Sequence, residues 1–123
     1  MMDTPADIKY ETSKNTEEFI IVRTVSAALK TDGVVRLAGG ITNALSSYIL
    51  RKELISKGVK LSDGKDGKYI IDVFVIVGYG TNIPATAWDL QTNIRKNVER
   101  DSDIKIEKVN VHVQGVYIPE QED

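Results

Sequence analysis

The chain has 123 residues, a formal net charge of −2, no cysteine and a single histidine. That length fits one domain, which should bury roughly two-thirds of the surface its unfolded form exposes. The missing cysteines exclude disulfides and thiolate chemistry and agree with a reducing compartment. Interspersed acids and bases with a small acidic excess argue against nucleic acid as the main partner, because phosphate binding needs a clear basic excess on one face. No apolar run approaches the ~20 residues needed to span a bilayer.

In chain order, residues 1–6 read as a loose N-terminus, 7–118 as one domain and 119–123 as an acidic tail. The first residues lack the basic and apolar regions of a secretion signal, so the expected location is cytoplasmic, with any membrane association borrowed from a partner. Asp7 to Thr12 alternates weakly through Ile8 and Tyr10 and reads as a short edge strand. Asn15, with Glu18 three residues on, has the form of a capping box. A helix follows to about Lys30, with Ile21, Val25, Ala28 and Leu29 as its buried stripe and Gly33 as its stop. Val34 to Leu37 is a short strand broken by Gly39-Gly40. Ile41 to Ser56 reads as an irregular or helical crossover, locally basic on a solvated face.

Val59 to Val77 predicts a β-hairpin turned by Asp63-Gly64-Lys65-Asp66-Gly67. That loop lacks the ligand spacing and terminal glutamate of a calcium hand. The second arm, Tyr69 to Val77, is filled with β-branched and aromatic residues, and Asp72 is its only charge. It ends at Gly78-Tyr79-Gly80. Asn82 then caps a helix whose first turn tolerates Pro84. Ile83, Ala87, Leu90, Ile94 and Val98 form its apolar stripe, Trp88 lies to one side, and Arg95, Lys96, Glu99 and Arg100 read as its wet face. In the last strand, Lys108 to Val116, valines 109, 111 and 113 alternate with Asn110, His112 and Gln114. Ile104 and Ile106 have the opposite parity, so the strand should break near Glu107.

Catalytic apparatus is not visible. His112 has amides as its neighbours in the polar row, and these ligate metal poorly, so it reads as a surface or hydrogen-bonding histidine. No serine sits in a nucleophile elbow, and His112 would be the only base available to one. Asp72 is the sharpest anomaly, readable as a perturbed acid but more simply as a residue that faces solvent or pairs with a lysine. Gly78-Tyr79-Gly80 has the first two glycines of a dinucleotide-binding turn, but Ile83 occupies the place of the third. What survives is a surface. If the valines of the last strand and the odd residues of Tyr69 to Val77 share a helix-covered face, Asn110, His112 and Gln114 fall on the other face beside Asp72, Phe74 and Ile76. A half-polar face carrying Phe74 is expected to be covered, by the crossover or by a partner protein.

The blocks Leu50-Arg51-Lys52-Glu53, Lys57-Gly58-Val59, Ile71-Asp72-Val73, Tyr79-Gly80-Thr81 and Val109 to Val116 resemble the alkaline shock protein family of Gram-positive bacteria. The likeness runs from about Asp7 to Val116 and is strongest from Leu50 onward. The first helix departs from the family, since Phe19-Ile20-Ile21-Val22 is bulkier than the usual small-residue pattern. The chain looks like the short, housekeeping branch. The resemblance implies a non-catalytic cytosolic protein of envelope homeostasis or stress response, with no cofactor. It also implies protein partners, such as a membrane-anchoring protein or a lipid-metabolism enzyme, and homo-oligomers. No catalytic residue carries over.

The expected fold is therefore a two-layer α+β sandwich. Two main helices cover one face of a mainly antiparallel sheet, in the order β-α-β-(crossover)-β-β-α-β. The expected function is a protein-interaction scaffold or modulator whose binding face holds Asp72, Phe74, Asn110, His112 and Gln114. A small ligand- or RNA-binding module using Gly78-Tyr79-Gly80 and the open sheet face is the alternative. An enzyme would need Asp72, His112 and Tyr79 gathered in one pocket.

Overall fold

A computed structural model describes residues 5–38 and 58–119, with the side chains of residues 5–14 excepted. The described residues form an α+β sandwich of two helices and a four-stranded sheet. Helix α1 spans Pro5–Leu29, strands β1, β2 and β3 span Val34–Leu37, Val59–Asp63 and Tyr69–Gly78, helix α2 spans Ile83–Glu99, and strand β4 spans Ile106–Tyr117.

The first expected strand does not exist. Asp7 to Thr12 lies within α1, so the order begins with a helix, and Asn15 sits inside that helix rather than capping it. Two apolar residues are too few to fix a strand register, whereas Pro5 suits a first helical position and Glu11, Lys14, Glu17 and Glu18 favour a helix. Once nucleated by the apolar segment after Asn15, a helix extends at little further cost. The buried stripe of α1 is Ile20, Ile21, Thr24, Ala27 and Ala28, and Leu29, expected inside, is exposed. Thr24 returns its hydroxyl to the Ile20 carbonyl at 2.7 Å, and Thr31 returns its own to Ala27 at 2.9 Å. Both polar groups can therefore be buried without loss of a partner.

Strand β3 is the centre of the sheet. Its odd residues Ile71, Val73, Val75 and Val77 are fully buried beneath the helices with Leu90, Ile94 and Val98 of α2. The hairpin forms as predicted, with β2 antiparallel to β3 from Val59 opposite Val73 to Asp63 opposite Tyr69. Strand β1 pairs antiparallel with the far end of the same edge, from Val34 opposite Val77 to Leu37 opposite Val75. The Phe74 backbone joins the two. Its carbonyl accepts from Ala38 at 2.8 Å and its N–H donates to Gly58 at 2.8 Å. β1 and β2 are thus two halves of one edge. The chain leaves that edge after Ala38 and rejoins it at Gly58. The expected crossover, Ile41 to Ser56, lies outside the described residues.

The other edge of β3 pairs with β4, and this pairing is parallel. It follows from connectivity, because α2 carries the chain back across the helical layer before β4 begins. The sheet is mainly antiparallel, as expected, with one βαβ unit built into it. The register skips Glu107 between Ile106 and Lys108, the break that the change of parity predicted. This is how Ile106 and Val109 both reach the buried face. The Glu107 carboxylate accepts the Lys65 N–H at 2.8 Å and ties the strand to the hairpin loop.

Candidate functional site

The open face of the sheet carries the even residues of β3 and their partners on β4. Asp72 stands opposite Asn110 and Phe74 opposite His112. Asp72 Oδ1 accepts from Asn110 Nδ2 at 3.2 Å and pairs with His112 Nε2 at 2.8 Å. A carboxylate only accepts, so Nε2 of His112 carries the proton in this pair. The imidazole also stacks on Phe74, with ring centroids 4.4 Å apart and planes 13° from parallel. Two interactions therefore fix His112, one at its edge and one at its face, and each removes rotamer freedom. The charge inside the apolar strand is explained by a histidine and an asparagine on the parallel neighbour, not by a lysine. His112 and Asp72 keep 39% and 18% of their side-chain surface, so the cluster is half-buried and reachable from outside.

Gln114 is not brought into this cluster in register. A second break falls there, since Val113 pairs with Val75 and Gly115 with Ile76, and Gln114 is left without a residue opposite. The small Gly115 fits beside Ile76, whose Cδ1 would lie 3.3 Å from an added Cβ. The sequence shows a glycine there but nothing that fixes the bulge one residue earlier.

The Gly78-Tyr79-Gly80 turn is built for structure. The Tyr79 N–H donates to the Tyr117 carbonyl at 3.0 Å and the Thr81 N–H to Gly78 at 3.1 Å. Asn82 caps α2 as predicted, its Oδ1 accepting from the Ala85 N–H at 3.0 Å. These amides are spent within the chain, and Pro84 has none, so few remain to cradle a phosphate. Tyr79 is exposed and lies seven residues along the chain from Asp72, about 23 Å in extended strand. Asp72, His112 and Tyr79 therefore do not share a pocket.

The outer face of α2 differs most from expectation. Arg95 and Glu99, predicted to be solvated, reach down to the edge of β4 that faces away from β3. The Arg95 guanidinium donates to the carbonyls of Ile106 and Glu107, and Glu99 accepts the Ile106 N–H at 2.8 Å. Gln91 gives its amide to the Val109 carbonyl at 3.0 Å. Together they line a cleft of about 600 Å³ between helix and strand, with Lys108 and Asn110 on the strand side. Exposed strand edges invite pairing with other chains, and these side chains occupy the first half of this one. At its start, α2 buries Thr86 rather than Ala87, and Ile83 is exposed. Trp88 also lies exposed, off the stripe as expected.

Among the described residues no group of His, Asp and Glu side chains could hold a metal ion, and no helix is long and apolar enough to cross a membrane. No solved structure matches the chain significantly. Relatives do. The uncharacterized protein YloU of Bacillus subtilis (strain 168) is 34% identical over 113 residues, covering 89% of this chain and 92% of YloU. The uncharacterized protein YqhY of the same organism is 32% identical over 90 residues, 73% of this chain and 65% of its own length. A stress response regulator gls24 homolog of Streptococcus pyogenes serotype M3 is 24% identical over 106 residues, 85% of this chain and 59% of its own. The chain thus spans two-thirds or less of the second and third of these relatives. Residues 7–118 match the model of the family described as alkaline shock protein 23, cell envelope-related function. Nearly the whole described fold falls within that match, and the chain belongs to the alkaline shock protein family.

Proposed function

We propose that this protein is a non-catalytic scaffold or modulator of envelope homeostasis, and that it acts through contacts made by the open sheet face. The observation that carries the reading is the cluster of Asp72, Asn110, His112 and Phe74. It combines a stacked aromatic pair with a carboxylate held by two donors, on the face opposite the helices. Pre-fixed aromatic and hydrogen-bonding groups lose little entropy when another surface covers them, which is what a contact site requires. The family's envelope-related description and the stress-regulator name of one relative support the setting. The protein works in the cytoplasm and meets the membrane through a protein that anchors it there or through an enzyme of lipid metabolism.

The test is crosslinking of the native protein in cells, with partner identification, beside a Phe74→Ala/His112→Ala variant. The variant is expected to stay folded and to lose crosslinks or self-association. Unchanged crosslinks and unchanged self-association would remove the open face from the function.

A further inference from the structure

On the helical layer, far from the sheet's open face, a second feature has no part in the reading above. Lys30 just past α1, Lys96 of α2 and Arg100 just past α2 line one cleft of about 170 Å³, together with Ala27, Asn93 and Asn97. No carboxylate of the described residues lines it, although the chain as a whole is acidic. Among the described residues the ion pair these cations make is that of Arg100 with Asp101, at 3.8 Å, with both side chains more than half exposed. Such a pair is screened by water and leaves the guanidinium available.

The amides between the cations are oriented. Arg23 donates through Nη1 to the Asn97 backbone carbonyl and to Asn97 Oδ1, each at 3.2 Å. Arg23 is itself seated over the Phe19 ring, 4.7 Å from its centroid. A guanidinium has only donors, so the Asn97 oxygen must face it. That leaves Asn97 Nδ2 as a donor with no partner among the described residues. Asn93 is likewise pinned, its Nδ2 donating to Thr31 Oγ1 at 2.9 Å. Cations near helix C-termini commonly offset the helix dipole, and this accounts for Lys30 and Arg100 taken singly. It does not account for their convergence with Lys96 on one cleft that two fixed amides also line.

We infer that this cleft is an anion site for a phosphate group. Three separate cations and an amide donor suit a tetrahedral, multiply charged oxyanion better than a planar carboxylate, which a single arginine fork satisfies. The volume equals roughly five or six waters at about 30 Å³ each, room for one phosphate group. The phosphate is either free or carried on a lipid headgroup, and the chemistry at the cleft is the same.

The experiment is a titration of the ¹⁵N-labelled full chain, followed by amide chemical shifts, with inorganic phosphate against sodium chloride at matched ionic strength. Saturable shifts at the Asn97 side chain and at Lys96 to Arg100 are expected with phosphate and not with chloride. Lys30→Gln and Arg100→Gln, both at exposed positions, should each weaken binding about tenfold while keeping the amide spectrum of the folded chain. Shifts that fail to saturate, that chloride reproduces, or that both variants retain would overturn the site. Co-sedimentation with phosphatidylglycerol and phosphatidylcholine vesicles separates the sources. Binding to the anionic vesicles that Lys30→Gln weakens to the same degree assigns the headgroup, and phosphate shifts without vesicle binding assign a soluble phosphate. Vesicle binding that neither substitution weakens would overturn the site as well.

Discussion

Strand β3 presents two faces that differ residue by residue. Its odd positions, Ile71, Val73, Val75 and Val77, have no exposed surface and meet Leu90, Ile94 and Val98 of α2. Its even positions, Ile70, Asp72, Phe74 and Ile76, are only half-buried, and two of them engage β4 through an acid and an aromatic ring. One face is closed by shape alone, so nearly any volume-conserving aliphatic residue would serve there. The other is held by directional bonds that specify which residue stands where. A chain that only needed to fold would gain nothing from Asp72, because burying part of a carboxylate costs free energy unless donors are supplied. The contrast separates the residues that make the domain from those free to serve what it does.

The largest effect should come from the closed face. Ile94→Ala removes a fully buried side chain between α2 and the sheet and should cost about 2–5 kcal/mol, read as a lowered urea midpoint. The open-face Phe74→Ala/His112→Ala variant should lose much less. If the two losses were equal, the division of labour between the faces would be wrong.

A smaller effect tests the seam between β1 and β2. Gly58 has φ +95°, and a Cβ there would lie 2.8 Å from the Ala38 carbonyl oxygen and 3.0 Å from that of Phe74. Both obstacles are backbone and cannot swing aside. Gly58→Ala should therefore destabilise by more than about 1 kcal/mol. A variant as stable as the parent would mean that the two half-strands do not meet as closely as the Phe74 hydrogen bonds require.

Much of this architecture is legible in the sequence where one pattern dominates. The β-branched run from Tyr69 predicts β3, the Asn82 cap and the four-residue spacing predict α2, and the change of parity after Ile106 predicts the bulge at Glu107. The open-face cluster is legible too, since alternation alone places Asp72 and Phe74 on one side and Asn110 and His112 on another strand's matching side. Legibility fails where tertiary partners decide. Nothing local distinguishes Arg95, which bonds the β4 edge, from Lys96, which faces water. Gln114 continues a perfect alternation until the register breaks beneath it. The extension of α1 through Asp7 to Thr12 is set by a helix already formed downstream, which weak local alternation cannot reveal.

The smallest effect concerns alkaline conditions and the lower end of the two-faced strand. Tyr69 is partly buried where β3 begins, and its hydroxyl is pushed above its ordinary value of 10.0. Burial is the main cause, and the negative charges of Glu17 and Asp63 add to it. Ionising the phenol in place would put a charge among apolar neighbours and beside two acids, so the folded chain holds this proton longer than the unfolded chain does. A raised value of this kind gives stability that is fully present below pH 10.0 and is lost as pH rises through the folded-state value. Tyr69→Phe removes the proton from both states. Its urea midpoint should therefore fall less steeply than the parent's above pH 10.0, while the two curves run parallel at neutral pH. Parallel curves across the alkaline range as well would show that Tyr69 ionises as readily in the folded chain as in the unfolded one. The junction of α1 with the β2–β3 hairpin would then be wetter than its burial implies.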